Sequence, residues 1–574
     1  MLLRRFALAL ALCSAPLHRA LGGNVPSSPD SETTLRSARR AQGQFEAFRR
    51  QHLPERYDHP TGPCDLQIGR FCFWYGDQHE DSVPEPPIIR EARHRLLATL
   101  AEAAISAPGD PWIAGQRARY LVEDGQASQA VTAARECRSS SWWCAALAGF
   151  ALHAAGRFDD ADSAFSAALH SMPDDERCAW YDLTPILPRD IRGRYDRMTC
   201  EERAAFESRF WWLAAPLWSR RGNDRRTEHF ARLTLSRITS DSRTAYDQRW
   251  DDDLREVLLR FGPDVYWTQE PSPYVSAPGP IVTGHERIPA FHFVPSAAVL
   301  DAPERARPED WELDARRPEE WYSPIYADRF LPLDAQVASF RRGDSCIVIA
   351  AYNAATSPVL ALQGARAALV LARDDRSRVV SQRETRLQGP EVLTATVTCE
   401  PQVLSLEIVP NKGRWVARTR YGMDLGARNA VSDLLLFEPL DSIAPDLSSV
   451  LPRALATTRI PVGGRVGLFW EVHGLSPLGE TVTTSLTVGP LGGGWLRHTV
   501  EALGLVGRRS TVNLQWDETL TPHGTNDPTV AQRALTLDLT GLPPGLYRIE
   551  LVVTAAGRAP FTTSRNIEII PITN

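Results

Sequence analysis

The sequence predicts a multidomain α plus β protein, with an N-terminal helical region followed by two C-terminal antiparallel β-sandwiches. From residue 88 to residue 235, apolar residues recur three and four positions apart, which is the spacing of amphipathic helices. Beyond residue 335, short runs of β-branched and aromatic residues alternate with turn residues. Of the 574 residues, 43% are hydrophobic and 23% are charged, so the chain can form several apolar cores.

The first 23 residues have the order of features found in an export signal. Arg4 and Arg5 form a basic start, residues 6–13 are apolar, and small residues follow near position 20. An ordinary N-terminal helix is the alternative interpretation. No later run approaches the roughly 18 apolar residues of a membrane span. We therefore expect a signal peptide, no transmembrane segment, and an extracytoplasmic location in a bacterium, whether periplasm, outer envelope or secreted.

The cysteine count agrees with an oxidising compartment. Without Cys13 in the signal, eight cysteines remain, and an even number suits a disulfide framework. Sequence neighbours fall inside one predicted structural unit, which favours nearest-neighbour pairing over the many other connectivities. The predicted bridges are Cys64 with Cys72, Cys137 with Cys144, Cys178 with Cys200, and Cys346 with Cys399.

The first cysteine pair has a second interpretation. Together with His59 and His79, Cys64 and Cys72 have the residue types of a two-Cys, two-His metal site. An exported chain favours oxidation of the two thiols instead. We therefore predict a disulfide there, no metal and no cofactor.

Residues 142–175 form a predicted helical hairpin with alternating small and large residues. Gly149 stands at the helix contact, Gly156 at the turn and Phe165 on the second helix, and a weaker copy upstream has its turn at Gly125. This pattern resembles the tetratricopeptide repeat, and a plain helical bundle is the alternative.

The resemblance to this repeat implies a peptide-binding groove. Trp143, Phe150 and His153 lie at the positions that face the groove in such repeats. We therefore predict that a protein or peptide partner binds to the helical repeats.

The next segment resembles the bacterial GWxTD-domain family, whose members are exported and largely uncharacterised. Trp218 lies in a stretch similar to the helical part of that family, and Trp250 and Asp253 match its name-giving motif. Arg249 stands where the motif has glycine, and Asp252 where it has threonine. The resemblance implies architecture and export more than an activity.

A hairpin and an extended segment are predicted next. Alternation of Val257, Leu259 and Phe261 predicts a strand, residues 262–264 a turn, and the residues after them a second strand. Residues 271–334 are crowded with Pro, Arg, Glu and Trp and show little periodicity, which indicates an extended, packed linker.

The chain is thereby divided into seven parts. The predicted parts are 1–23, a signal peptide; 24–87, a leader with a disulfide loop; 88–199, tetratricopeptide-like helices; 200–270, a GWxTD-like helical segment and hairpin; 271–334, an extended Pro-rich linker; and two β-sandwiches at 335–440 and 450–574.

The sequence contains no recognisable catalytic constellation. The acidic run at 251–253 is typical of a charged loop, although carboxylates also serve in acid–base chemistry. Ser345 follows Gly343 and Asp344 as at the start of an esterase block, but no base can be assigned to it. No phosphate-binding loop and no dinucleotide-binding motif is present.

These observations favour an exported protein-interaction or scaffold protein without enzymatic activity. The net charge of −6 argues against a dedicated nucleic-acid binder. One alternative is an extracytoplasmic hydrolase acting on glycan or peptide, with its site near Trp250 and Asp253. Another is a carbohydrate-binding module in the last sandwich. The sequence leaves the identity of the partner and the oligomeric state open.

Overall fold

A computed structural model describes most of the chain. The described residues are 29–56, 63–73, 75, 82–270, 280–287, 289–354, 364–385, 389–426, 430–439, 446–476, 478–491, 512–521 and 530–571. The predicted signal peptide lies outside them, as do His59 and His79.

The N-terminal part of the described chain is helical, apart from one short hairpin. Its helices are α1 (Pro29–Gln51), α2 (Pro87–Ser106), α3 (Pro111–Glu123), α4 (Ala127–Glu136), α5 (Ser141–Ala154), α6 (Phe158–Ser171), α7 (Asp174–Trp180), α8 (Arg189–Tyr195), α9 (Cys200–Ala214), α10 (Asp224–Thr239) and α11 (Asp252–Phe261). The hairpin consists of the antiparallel strands β1 (Leu66–Ile68) and β2 (Phe71–Phe73).

Capping residues explain where several helices begin. Asp110 accepts a hydrogen bond from the Ile113 N–H at the start of α3. Thr199 and Glu202 form a reciprocal capping box at the start of α9. These side chains satisfy backbone N–H groups that have no partner inside the helix.

The predicted helical hairpin is α5 followed by α6, and its glycines have the expected places. Gly156 lies in the turn with φ +71°, and Gly125 occupies the matching turn between α3 and α4 with φ +73°. A Cβ atom on Gly149 would lie 2.7 Å from the Phe165 ring. Glycine at that position therefore allows α5 and α6 to approach closely.

The predicted first strand of the next hairpin is wrong, because the segment is helix α11. Leu254 and Leu258 are buried one helical turn apart, and Asp252 and Asp253 lie in the first turn, where negative charge is favourable. Gly262, with φ +97°, ends the helix. The second predicted strand exists: β3 (Tyr266–Glu270) pairs with β4 (Ile281–His285).

Residues 320–326 of the predicted linker are packed against α10. The described part of the linker contains β4, α12 (Ala297–Asp301) and β5 (Arg329–Pro332). Glu320 and Arg225 of α10 form an ion pair of 2.6 Å whose side chains are both fully buried. Tyr322 and Tyr326 donate their hydroxyls to Asp224 at 2.9 and 3.0 Å. Buried polar contacts therefore fix this segment to the helical region.

Two β-sandwiches follow, as predicted. The first is built from β5, β6 (Ala335–Arg342), β7 (Ser345–Asn353), β8 (Ala365–Ala372), β9 (Arg378–Thr385), β10 (Pro390–Thr398), β11 (Gln402–Pro410) and β12 (Trp415–Met423). The second is built from β13 (Leu435–Phe437), β14 (Arg459–Pro461), β15 (Arg465–Val472), β16 (Glu480–Pro490), β17 (Val512–Leu520), β18 (Ala531–Asp538), β19 (Gly545–Ala555) and β20 (Phe561–Ile570), with α13 (Leu447–Val450) between β13 and β14.

Each sandwich combines a five-stranded and a three-stranded sheet. The strand orders are β5-β12-β11-β8-β9 and β10-β7-β6 in the first, and β14-β20-β19-β16-β17 and β13-β15-β18 in the second. The pairing is antiparallel, except that β5 and β14 join their sheets in parallel with β12 and β20. Strand β5 belongs to the first sandwich although it precedes the predicted boundary at residue 335.

The sandwiches are joined to each other and to the helices by further apolar cores. Phe340 and Ile349 of one three-stranded sheet pack with Leu435 and Phe469 of the other. The outer face of the first five-stranded sheet packs against α9 and α12. The order of layers is therefore helices, five-stranded sheet, two three-stranded sheets and a second five-stranded sheet.

All four predicted cysteine pairs are bonded. The Cα atoms are 5.3 Å apart for Cys64–Cys72, 5.6 Å for Cys137–Cys144, 5.5 Å for Cys178–Cys200 and 5.1 Å for Cys346–Cys399. Disulfides of this number are typical of chains that fold outside the cytoplasm. Among the described residues, no helix has both the length and the hydropathy needed to cross a bilayer.

Candidate functional site

A cavity of about 450 Å³ lies where the helical region meets β3. Helix α5 contributes Phe150 to its wall, α10 contributes Leu235, and α11 contributes Leu254. Polar side chains also reach it, among them Thr244 and Asp264. A mainly apolar cavity with a few polar groups is the usual form of a small-molecule site.

Two of the predicted binding residues meet in this cavity, and three do not. Phe150 and Trp250 line it, although they lie on different elements and 100 positions apart in the sequence. Trp143, His153 and Asp253 are not among its lining residues. Trp250 therefore lines this cavity without Asp253, and the two residues line a second cavity together.

The face on which a peptide was predicted to bind is covered by α10 of the same chain. His153 is buried, and its ring contacts Thr227 Oγ1 at 2.8 Å and Glu228 Oε2 at 2.7 Å, both on α10. The Trp143 indole donates to the Pro111 carbonyl at 3.0 Å and packs near Ile238 of α10 in the same apolar core. The prediction that these side chains face an open groove is wrong, because α10 fills it.

Asp253 joins α11 to the disulfide-linked hairpin. Its carboxylate accepts two hydrogen bonds from the Arg70 guanidinium, from Nε at 2.6 Å and from Nη2 at 2.7 Å. The hydrogen bonds from Arg70 lower the pKa of Asp253 to about 2. A carboxylate held ionised in this way is suited to anchoring, not to general acid catalysis.

The sequence patterns did not identify Asp264 and Tyr246, a hydrogen-bonded pair that lines the cavity. Tyr246 donates its hydroxyl to Asp264 Oδ2 at 2.7 Å. Burial raises the pKa of Asp264 to about 6 despite that hydrogen bond. Gly284 of β4 leaves the space for both side chains, because a Cβ atom there would collide with each of them. Asp264 follows Gly262 and Pro263, so the sequence signals only an exposed turn.

A second carboxylate in the wall is held by arginines. Glu123 accepts hydrogen bonds from Arg49 at 2.6 Å and from Arg119 at 2.7 Å. Burial alone would raise the pKa of Glu123, but the two guanidinium groups outweigh it and lower the pKa to about 2. Two of the carboxylates that line the cavity, Glu123 and Asp264, therefore have pKa values shifted in opposite directions.

The described residues offer no metal site. Within the described ranges, no group of three or more His, Cys, Asp or Glu side chains is placed to hold an ion. Cys64 and Cys72, the two thiols of the alternative metal interpretation, are bonded to each other. The other two members of that interpretation, His59 and His79, lie outside the described residues.

Comparisons with known proteins add little. No family model matches the chain, and no curated protein is similar to it. One solved structure that it resembles is the tetra-tandem repeat in the extending region of a large adhesion protein, with 10% identity, 42% of this chain and 49% of that chain covered, and a TM-score of 0.13. Another is the chicken CNTN1 FN1-FN3 domains, with 10% identity, 42% and 68% covered, and a TM-score of 0.13. The match spans about half the length of the first of these chains, and neither is close enough to indicate a function.

Replacing Asp264 with asparagine is expected to stabilise the protein above about pH 6 and not near pH 4. Because the pKa is raised on folding, the stabilising contribution of the protonated carboxyl is complete below its ordinary value of 3.8 and is lost as the pH rises through about 6. The neutral side-chain amide in Asp264→Asn does not titrate, so the variant keeps its stability as the pH rises. We expect no difference in unfolding free energy near pH 4 and a gain of up to about 3 kcal/mol for Asp264→Asn at pH 8.

Urea unfolding at both pH values measures this effect. Asp375→Asn is the matched control, because Asp375 is exposed in a turn of the first sandwich, and changes there are expected to stay within about 0.5 kcal/mol. Equal unfolding free energies of Asp264→Asn and the wild type at pH 8 would show that burial does not destabilise the ionised Asp264.

Proposed function

We propose that this chain is an extracytoplasmic protein-interaction scaffold of a bacterium, without a catalytic role. The observation that supports this proposal is the continuous packing of five layers. In such a structure the helical region and the last sheet are held at a fixed distance and orientation, which a scaffold needs and a single-site enzyme does not.

The junction between the helices and the first sandwich shows how firmly the layers are joined. Arg420 and Glu407, on neighbouring strands, form a fully buried pair at 3.4 Å. Glu407 also accepts from the backbone N–H groups of Trp218 and Ser219 at 2.8 and 2.9 Å. Arg420 donates to the Ala215 carbonyl at 2.9 Å. The sheet therefore binds the segment after α9 through buried, charge-assisted hydrogen bonds.

The two ends of the stack offer surfaces for partners. On the last sheet, β19 alternates buried residues with exposed polar ones such as Arg548 and Glu550, so its outer face is polar. At the other end, Ile105 at the end of α2 is 82% exposed. We propose that partners bind at these ends, since α10 covers the inner face of the helical hairpins.

Photo-crosslinking of the full chain in the native envelope tests this function. A crosslinking amino acid is placed at Glu550 or Ile105, and at exposed Gln382 in the first sandwich as a control. We expect discrete adducts with envelope proteins from at least one end and none from Gln382. Absence of adducts from both ends, or equal adducts from the control position, would contradict the scaffold function.

We also propose two relationships that rest on the sequence resemblances. The hairpins α3–α4 and α5–α6 are proposed to be tetratricopeptide-like, which the contact between Gly149 and Phe165 supports. The region from residue 200 onward is proposed to be related to the GWxTD-domain family. The contacts of Trp218 and Asp253 support structural roles for these two family-like residues.

The second candidate function is a hydrolase acting on glycan or peptide. It is favoured by one observation, namely that Asp264 and Glu123 line the same cavity with pKa values shifted in opposite directions. If this candidate is correct, Asp264→Asn abolishes hydrolysis of envelope glycans or peptides by the purified chain. If the scaffold proposal is correct, wild type and Asp264→Asn are equally inactive and give the same crosslinks.

A further inference from the structure

We propose that the cavity between the helical region and β3 binds a neutral, mainly apolar small molecule that presents a hydroxyl or carbonyl oxygen to Thr244 and Trp250. This inference is independent of the scaffold function, because the cavity lies away from both proposed partner surfaces. The size of the cavity, its unpartnered polar atoms and its charge balance support it.

The cavity has the size and the walls of a small-molecule site. Its volume of about 450 Å³ lies within the range of roughly 300–1,000 Å³ that such sites occupy. Leu53 follows α1, Phe150, Leu235 and Leu254 lie on α5, α10 and α11, and all four present apolar surface to the cavity. An apolar ligand body would therefore be enclosed from several sides.

Two of the buried, unpartnered polar atoms in residues that line the cavity point to the chemistry of the ligand. Thr244 Oγ1 and Trp250 Nε1 are buried, and neither has a hydrogen-bond partner among the described residues. A buried polar group without a partner is costly, and an indole N–H can only donate. A ligand oxygen accepting from Trp250, and a hydroxyl or carbonyl oxygen at Thr244, would satisfy both atoms.

The charges of the wall favour a neutral ligand over an anion. Arg93 pairs with Glu85 and with Asp124, the latter at 3.1 Å. Arg119 pairs with Glu123 at 2.7 Å. Both arginines that line the cavity are thus ion-paired with carboxylates, and Asp264 adds further negative charge. An anionic ligand would have to displace one of these carboxylates.

Nile red, a neutral apolar fluorophore with a carbonyl oxygen, is the probe for the purified full chain. We expect saturable binding of one molecule per chain, with enhanced fluorescence. Loss of one hydrogen bond is expected to weaken binding about threefold to tenfold in Thr244→Val and in Trp250→Phe. The melting temperature of Thr244→Val should not fall, since the change removes an unpartnered hydroxyl. If Thr244 had only a structural role, Thr244→Val would lower the melting temperature together with the affinity for Nile red.

A pair of larger substitutions tests the location of the site. Val265 lines the cavity but is 55% exposed, so tryptophan there obstructs the cavity with little cost to folding. Val380, 44% exposed on β9, receives the same change as a matched control. We expect Val265→Trp to bind Nile red at least about tenfold more weakly, which corresponds to roughly 1.4 kcal/mol of binding free energy. Val380→Trp is expected to bind Nile red as the wild type does.

Three results would overturn the proposal. The first is non-saturable binding of Nile red to the wild type. The second is unchanged affinity in Thr244→Val, Trp250→Phe and Val265→Trp together. The third is tighter saturable binding of an anionic dye such as anilinonaphthalene sulfonate, with sensitivity to the same substitutions, because it would show that the site selects anions.

Discussion

Replacing Glu407 with glutamine is expected to lower the free energy of unfolding by about 3–5 kcal/mol, because it leaves the Arg420 guanidinium buried without its counter-charge. The side chains of Glu407 and Arg420 are 0% and 1% exposed, so water cannot compensate. Arg420 also stacks on Trp218 at 4.1 Å. Urea unfolding followed by tryptophan fluorescence measures the loss of unfolding free energy.

An exposed pair in the same sandwich provides the control. Arg366 and Glu384 are 3.4 Å apart, with side chains 57% and 61% exposed. Exposed pairs contribute little, so Glu384→Gln is expected to cost less than about 1 kcal/mol. The double variant Glu407→Met with Arg420→Met should cost less than the sum of the single changes, because it removes both charges together. Equal effects of Glu407→Gln and Glu384→Gln would show that the buried pair does not hold the layers together.

Removing the longest disulfide loop should have the second large effect. Cys346 and Cys399 are 53 positions apart, and the chain-entropy relation gives about 4 kcal/mol for closing such a loop in the unfolded chain. We expect a loss of up to that amount in the double variant Cys346→Ala with Cys399→Ala. Unfolding by guanidinium, compared with the wild type under non-reducing conditions, measures it.

A short loop is the matched comparison for this effect. Cys137 and Cys144 are 7 positions apart, for which the same relation gives about 2.5 kcal/mol. Alanine at both positions should therefore cost less than alanine at Cys346 and Cys399. A larger loss of unfolding free energy for the Cys137 and Cys144 variant would contradict the loop-length explanation. It would show that the disulfides stabilise mainly through contacts in the folded state.

Local patterns predicted many elements of the fold correctly. The turn glycines Gly125 and Gly156 and the close contact at Gly149 depend only on neighbouring residues, and each was placed correctly. Alternation and turn residues likewise predicted two antiparallel sandwiches. The short run ending at Phe261 was assigned to a strand because four apolar residues within five positions are too few to distinguish a two-residue period from a helical one. The candidate site was predicted only in part, since Trp250 and Phe150 were noted but Asp264 was not.

The sequence by itself determined the periodicity of helices and strands and the glycine turns, because each of these arises from residues close together in the chain. Only the tertiary structure decided that α10 covers the inner face of the helical hairpins, so that His153 is buried there. It also decided that Asp253 serves as an anchor for Arg70, and that Asp264 is half-buried beside Tyr246. The physical reason is that burial and electrostatic partnership depend on elements far apart in sequence, whose packing the local pattern does not specify.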